Sequence, residues 1–263
     1  MKVMKTACAA LFAAFSAQAA AVGSVADVTV FDRSEGRQLQ VYWHEGRAYV
    51  VGKPGNEYSV RIRNRQRDDV LGVISVDGVN VITGETAVAQ QSGYVLAPYR
   101  QFDIGGWRKN LESTAAFYFT SLPDSYAART GRPDNAGVIG VAIYRKKEQP
   151  PASLMQPAPF ASGELSRKEA ANAAAPDADV HGAARDARRE DRLGTGHGRS
   201  EESHTRHVGF ERASSHPAET VTIYYDSYRN LLARGIVPPL PYQFPPRRPA
   251  PNPFPGFAAD PPA

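Results

Sequence analysis

The alternation of apolar and polar residues is most regular between Glu57 and Asn64. Apolar side chains occupy every second position there, which is the period of a strand that buries one face. The run from Val70 to Val76 is almost continuously apolar and rich in β-branched residues, as in a strand covered on both sides. Asp77 and Gly78 follow it and predict a tight hairpin, because glycine tolerates positive φ. The core is therefore predicted to be antiparallel β structure.

Short runs of the same kind recur up to residue 147, with Gly and Pro turns between them and no long amphipathic helix. This arrangement predicts a mainly β protein, with an antiparallel β-sandwich over residues 26–147. Asp124 is expected to cap one helical turn over Ser125–Ala128. Gly105–Lys109 is expected to be a turn that carries an aromatic residue.

The composition changes after residue 147. Residues 148–192 are rich in Ala, Pro and charged residues, and we expect a disordered linker there. Apolar alternation returns from Leu193, with strands expected at His207–Glu211 and Thr220–Tyr225 and a short helix at Tyr228–Ala233. A segment of this length rarely folds alone, so 193–237 is predicted to be a β-β-α segment that packs on the sandwich. Residues 238–263 form a proline-rich tail that favours polyproline II.

The N-terminal residues have the order of a secretory signal peptide. Lys2 and Lys5 are followed by a short apolar run, and Ala17-Gln18-Ala19 fits a small-x-small cleavage pattern. The signal is therefore assigned to residues 1–19, and the mature chain is expected to be periplasmic or extracellular. The apolar run is shorter than the roughly 20 residues of a transmembrane span, and no span is predicted elsewhere.

Charge and cysteine content narrow the function classes. The only cysteine, Cys8, lies inside the signal, so no disulfide or thiol chemistry is expected in the mature chain. Residues 20–147 contain 16 Lys and Arg against 13 Asp and Glu, and residues 148–263 contain 13 against 14. Neither half is basic enough to favour nucleic acid as a partner.

Catalytic signatures are absent from the sequence. It contains no nucleophile elbow, zinc-protease helix, phosphate-binding loop or calcium loop, so no catalytic residue, metal or cofactor is predicted. Ser125, beside Asp124 and Arg129, is either the centre of a small hydrolase or part of a helix cap, and the cap is the more common use. Asp77, Glu85 and Asp103 could supply paired carboxylates for glycoside chemistry.

A binding surface is predicted from aromatic and cationic residues near two turns. Trp107 and Tyr126 could stack on a ligand while Arg108 and Arg129 hold an anion or a sugar, although aromatic residues of a sandwich more often belong to its core. His197 joins them as the candidate in the glycine-rich stretch Gly194–Gly198. Its glycines permit close backbone approach to an anion or to another chain segment, and a tight turn is the favoured interpretation.

Several longer motifs carry a resemblance. VDGVNVITGETA, SLPDSYAARTGRPDN and IYYDSYRNLLARGI resemble stretches of an uncharacterised family of proteobacterial exported proteins, with similarity over 57–144 and 193–236. The family has no assigned activity, so the resemblance implies shared architecture and no catalytic residue. It also implies that 193–236 is folded.

Together these features predict an exported, non-enzymatic β-sandwich protein with a binding or scaffolding role in the periplasm or cell envelope. The partner is open at this point, with an envelope protein and a glycan as the candidates. The alternatives are a carbohydrate-binding or glycan-active protein, and a small hydrolase centred on Ser125.

Overall fold

A computed structural model describes residues 21–148 and 192–240. Its strands are, in chain order, β1 (Ala26–Asp32), β2 (Arg37–Gln38), β3 (Val41–His44), β4 (Arg47–Gly52), β5 (Glu57–Asn64), β6 (Val70–Val76), β7 (Val79–Asn80), β8 (Tyr94–Leu96), β9 (Gln101–Ile104), β10 (Gly106–Arg108), β11 (Ser113–Ser121), β12 (Val138–Arg145), β13 (Leu193–Glu202) and β14 (Glu219–Ser227). The helices are α1 (Tyr126–Arg129) and α2 (Tyr228–Ala233), with a 3-10 turn at Pro133–Asn135. The predicted mainly β sandwich is confirmed.

The strands form two sheets. In sheet A the order is β10-β11-β5-β1-β2, with β13 also paired to β11 and β9 also paired to β5. In sheet B the order is β3-β4-β14-β12-β6-β7, with β8 also paired to β6. All neighbours are antiparallel except β14 and β4, which run parallel. The second sheet therefore depends on a strand from the far end of the chain.

The core lies between the sheets and is built by their inward-facing residues. From sheet A it contains Tyr58, Phe117 and Phe119, whose side chains have no exposed surface. The Tyr58 and Phe119 rings stack with centroids 4.3 Å apart. Ile139 and Ile223 face them from sheet B and are also buried. Full burial of such side chains stabilises a fold by about 1.5–3 kcal/mol each.

The C-terminal segment is woven into the sandwich. It contributes β13 to sheet A and β14 to the middle of sheet B, and α2 follows β14. The β-β-α order is thus as predicted, but the first strand is not at His207–Glu211, where the chain is irregular. It is Leu193–Glu202, so the interpretation of the glycine-rich stretch as a turn was wrong.

Two local predictions were correct and two need correction. Asp77 (φ 54°) and Gly78 (φ 73°) form the predicted hairpin turn between β6 and β7. The helical turn near residue 126 exists, but its N-cap is Ser125 rather than Asp124, because the Ser125 hydroxyl accepts the Ala128 N–H. Residues 106–108 form β10 instead of a turn, since they pair with β11.

The predicted signal peptide, most of the predicted linker and most of the proline-rich tail lie outside the described residues. Within 21–148 and 192–240, no helix has the length and apolar character required to cross a membrane.

Candidate functional site

Three of the five predicted binding residues come together where β10, β13 and α1 meet. The Trp107 ring lies 4.8 Å from the Tyr126 ring and 6.2 Å from the His197 ring, measured between centroids. Trp107 is only 3% exposed, whereas His197 is exposed at the surface. The indole is thus packed as core against its neighbours and presents no open face to a ligand.

The two predicted arginines lie apart from this cluster. Arg108 follows Trp107 in a strand, so the two side chains point to opposite faces of sheet A. Its guanidinium donates to the Tyr94 hydroxyl at 3.1 and 3.2 Å and to both the carbonyl and the hydroxyl of Ser203. Arg129 is exposed at the end of α1. The proposed pair of guanidinium groups beside one aromatic platform is therefore not assembled.

Ser125 acts as a helix cap. It has no exposed surface, and its hydroxyl donates to the Leu122 carbonyl at 2.7 Å while accepting the Ala128 N–H at 3.1 Å. Both functions of the hydroxyl are engaged, and no substrate could approach it without displacing the surrounding core.

The carboxylates considered for glycoside chemistry are also separated. Asp77 is completely buried between the sheets. Asp103 lies on the outer face of sheet A, where it forms two hydrogen bonds with Arg61 at 2.7 and 2.8 Å. Glu85 lies in the exposed loop after β7. They do not form a catalytic pair.

Asp77 organises a buried polar network that joins the two sheets. Its Oδ1 accepts the Tyr225 hydroxyl at 2.5 Å and the Gly137 N–H at 2.9 Å, and its Oδ2 accepts the Thr195 N–H at 2.7 Å. The Thr195 hydroxyl lies 2.6 Å from the hydroxyls of both Tyr225 and Tyr58. Sheet A is thereby tied to sheet B through one carboxyl group and three hydroxyls.

Burial dominates the electrostatics of this network. Loss of water raises the pKa of Asp77 to about 6, although hydrogen bonds from Tyr225, Thr195 and Gly137 oppose the rise. Burial next to Asp77 also raises the pKa of Tyr58 and of Tyr225 well above the ordinary value of tyrosine. The network is fully enclosed, so its role is to hold the sheets together.

A groove lies open on the outer face of sheet A. Two adjoining cavities of about 240 and 450 Å³ share Asp103, Gly105, Thr114 and Ser203 as a common floor. The groove exists because β9 pairs with β5 while β10 pairs with β11, so the chain changes partner at Gly105. Arg108, one of the five predicted residues, lines the first cavity.

Arg33 and Glu201 line the second cavity and belong to a network of paired charges. Arg33 donates two hydrogen bonds to Glu201 at 2.8 and 2.9 Å. Arg199 donates two to Glu57 at 2.8 and 3.0 Å and also contacts Glu201. These four side chains form a neutral network, and we call it the charge cluster. Mutual pairing holds Arg33 and Glu201 in place on the groove wall.

The backbone of β11 determines which edge of β13 is open. Phe117 donates its N–H to the Gly105 carbonyl, and Lys109 donates to the Ser113 carbonyl. The odd-numbered residues of β11 from 113 to 117 therefore direct their backbone groups towards β10. In an antiparallel ladder, hydrogen-bonded and non-hydrogen-bonded pairs alternate.

The residues opposite those positions consequently direct their backbone groups away from β11. They are His197, Ser200 and Glu202, and all three residues are exposed. Nearer the start of β13, the outward N–H groups of Leu193 and Thr195 are bonded to Asp226 and Asp77. In the described part of the chain no strand pairs with the outer side of β13. Residues 197–202 are thus an open strand edge beside the groove, with a β-bulge between His197 and Ser200 where the register of β11 and β13 shifts.

The glycines of β13 have a steric explanation. A Cβ on Gly194 would lie 2.5 Å from the Ser125 Cβ, and one on Gly196 would lie 2.1 Å from the Tyr118 ring. The prediction that these glycines permit close approach to another chain segment is correct, since α1 and the Tyr118 ring lie directly on the strand.

Comparisons with protein-family models, curated proteins and solved structures found no match. Among the described residues, no group of three or more His, Cys, Asp or Glu side chains is arranged to hold a metal ion.

The sequence did not point to most of the groove. Arg33, Glu201 and Ser203 lie far apart along the chain and belong to no local motif. The usable signals were the glycine pair at 105–106, which allows the chain to change strand partner, and Asp103 beside it. The open edge could not be anticipated because β13 was not predicted as a strand.

Proposed function

We propose that this is an exported, non-enzymatic binding protein of the periplasm or cell envelope that holds an extended polypeptide segment on sheet A. The observation that carries the proposal is the open edge of β13, from His197 to Glu202, beside the groove. An exposed edge offers unpaired N–H and C=O groups, and an extended peptide can add to it as a further strand. Export is inferred from the N-terminal signal pattern.

The chemistry of the groove supports a polypeptide ligand. Its walls present hydroxyl groups and charges of both signs, including Ser203, Asp103, Arg33 and Glu201. Phe31 and Phe102 add partly buried aromatic surface. Backbone pairing supplies affinity in such complexes, while neighbouring pockets select side chains. The glycan alternative relied on an open Trp107 face, and Trp107 is 3% exposed.

The test uses the mature chain from residue 20 and a pool of random, end-blocked dodecapeptides. Peptides selected on the wild-type protein should lose at least tenfold in affinity for Ser200→Pro, because proline removes the outward N–H of the edge. Ser215→Pro, in an exposed bend, is the matched control and should bind as the wild type does.

Selection of no peptide would contradict the proposal, as would equal binding by the wild type and Ser200→Pro. Circular dichroism should first show that both proline variants are folded. Fluorescence anisotropy with nanomolar labelled peptide and low protein concentration then measures binding to a single chain.

A further inference from the structure

We propose that the open half of β13 pairs with the same strand of a second copy of this chain, antiparallel, about a two-fold axis at Ser200. This inference rests on the proposed function, because it assigns the second copy as one extended partner of the β13 edge. It would make the association symmetric, with the same surface used by both subunits.

Backbone geometry permits this pairing at Ser200. Its N–H and C=O point away from β11, since it lies opposite Ala115, whose backbone groups bond to β10. Two Ser200 residues facing each other across the axis could therefore exchange both of their hydrogen bonds. Glu202 also directs its backbone outward, but the residue opposite it would be Gly198, in the β-bulge where the register of β11 and β13 shifts. The backbone pairing is therefore confined to Ser200, and the side-chain pairs on either side of it supply the remaining contacts.

The charges of β13 favour an axis at Ser200 over an axis at Glu201 or at Glu202. With the axis at Ser200, Arg199 of each copy lies opposite Glu201 of the other, which gives two opposite-charge pairs. An axis at Glu201 would place two Glu201 side chains directly opposite each other, and an axis at Glu202 would do the same with Glu202. Like charges directly opposite across a strand pair are destabilising, and opposite charges are favourable. Only the Ser200 axis makes the edge self-complementary among these three.

The charge cluster prepares the two side chains for this contact. The Arg199 side chain is 63% exposed, so its guanidinium is accessible on the surface. Glu201 is 15% exposed and is held by two hydrogen bonds from Arg33. The accessible guanidinium of Arg199 is at position i of the edge strand, and the fixed carboxylate of Glu201 is at position i+2. In an antiparallel pair, each of them therefore lies opposite the group of opposite charge in the other copy. Side chains two residues apart lie on the same face of a strand, which both pairs require.

The experiment is sedimentation equilibrium of the mature chain over a wide concentration range. The wild type should reach twice the monomer mass as concentration rises. Ser200→Pro, Arg199→Glu and Glu201→Lys should each weaken self-association at least tenfold. Arg229→Glu, an exposed charge reversal on α2, and Glu45→Lys, in an exposed turn, are the matched controls and should associate like the wild type.

Mixing two of the variants gives the most specific test of the predicted charge pairs. Arg199→Glu carries two acidic residues at the contact and Glu201→Lys carries two basic ones, so each repels itself and attracts the other. An equimolar mixture should form a heterodimer although neither variant dimerises alone. Thermal melts of the separate variants show whether each is folded before mixing.

Three results would overturn the inference: a monomer at every concentration, a dimer insensitive to all three edge variants, or a mixture that stays monomeric. Each is distinguishable from failure of the proposed function. A chain that never dimerises but binds dodecapeptides through Ser200 retains the proposed function and refutes only the second-copy pairing. A chain that neither dimerises nor binds peptides refutes both.

Discussion

Replacement of Asp77 by Asn should test whether the buried network holds the sheets together. An amide can keep one oxygen facing the Tyr225 hydroxyl and the Gly137 N–H, but its NH₂ group then meets the Thr195 N–H, which now binds Asp77 Oδ2 at 2.7 Å. Two donors are left facing each other in a site with no exposed surface. Leaving buried polar groups unpaired costs about 1–3 kcal/mol each, so we expect a loss of about 2–6 kcal/mol in the free energy of unfolding.

The same residue gives the wild-type protein a characteristic pH dependence. The folded pKa of Asp77 is about 6, against 3.8 for an unperturbed carboxyl. Because the folded value is the higher one, its contribution to stability is fully present below pH 3.8 and is lost as the pH rises through about 6. The full difference corresponds to about 3 kcal/mol, of which about 1.4 kcal/mol should be gained between pH 7.5 and pH 5.

The hydroxyl chain explains how the neutral form is accommodated. When Asp77 is charged, Tyr225 donates to it. When Asp77 is protonated, it can donate to Tyr225, which can then donate to the Thr195 hydroxyl 2.6 Å away. The hydroxyls reverse direction without moving any heavy atom, with Thr195 then donating to Tyr58. Only the Tyr58 O–H at the end of the chain loses its acceptor within the network.

Urea unfolding of the wild type and of Asp77→Asn at pH 5 and pH 7.5 measures both effects. The variant cannot titrate at this position, so the stability difference between the two proteins should be larger at pH 5 by about 1.4 kcal/mol. This comparison cancels the titration of other groups, including Glu35 and Glu57, whose pKa values are lowered by hydrogen bonds from Lys53 and Arg199. If the two proteins differed in unfolding free energy by the same amount at both pH values, the raised pKa of Asp77 would be refuted. If Asp77→Asn left the unfolding free energy unchanged, the stabilising role of the network would be refuted.

Two further substitutions test the packing around β13. Gly194→Ala should destabilise the protein by about 1–3 kcal/mol, because its Cβ would lie 2.5 Å from the Ser125 Cβ. The control, Gly209→Ala, has nothing within 4 Å of the added Cβ and should change the melting temperature little. Equal melting temperatures of the two variants would contradict the close packing at Gly194. Ser125→Ala should cost about 1 kcal/mol through loss of the helix cap, measured by urea unfolding against Ser215→Ala at the surface; no loss would mean that the cap contributes little to stability.

The sequence predicted the features whose causes are local. The hairpin at Asp77 and Gly78 follows from the positive φ that both residues adopt. The helical turn near residue 126 was also predicted, although its cap is the Ser125 hydroxyl rather than Asp124. Apolar alternation likewise located β5 and β14. In each case the interacting groups are neighbours in the chain, so the pattern of residues contains the information.

The features that escaped prediction depend on distant residues. Glycines are poor strand formers, and β13 is a strand because the Tyr118 ring and α1 cover its glycines while Asp77, 118 residues earlier, binds the Thr195 N–H. The groove forms because β9 pairs with β5 while the next strand, β10, pairs with β11. The local alternation of apolar and polar residues does not indicate which strand is the partner. Trp107 was considered as a ligand platform because its burial depends on Tyr126 and Phe117, which reach it only in the folded sheet.

The most direct test of the open β13 edge is amide hydrogen exchange resolved to single residues. In dilute protein, the outward amides of His197, Ser200 and Glu202 should exchange fast, while those of Gly194 and Gly196, which point towards β11, should be protected. Saturation with a selected dodecapeptide should slow the outward amides by at least tenfold and leave the inward ones unchanged. Outward amides that are already protected in the dilute protein, or that keep their fast exchange in the saturated complex, would contradict binding at this edge.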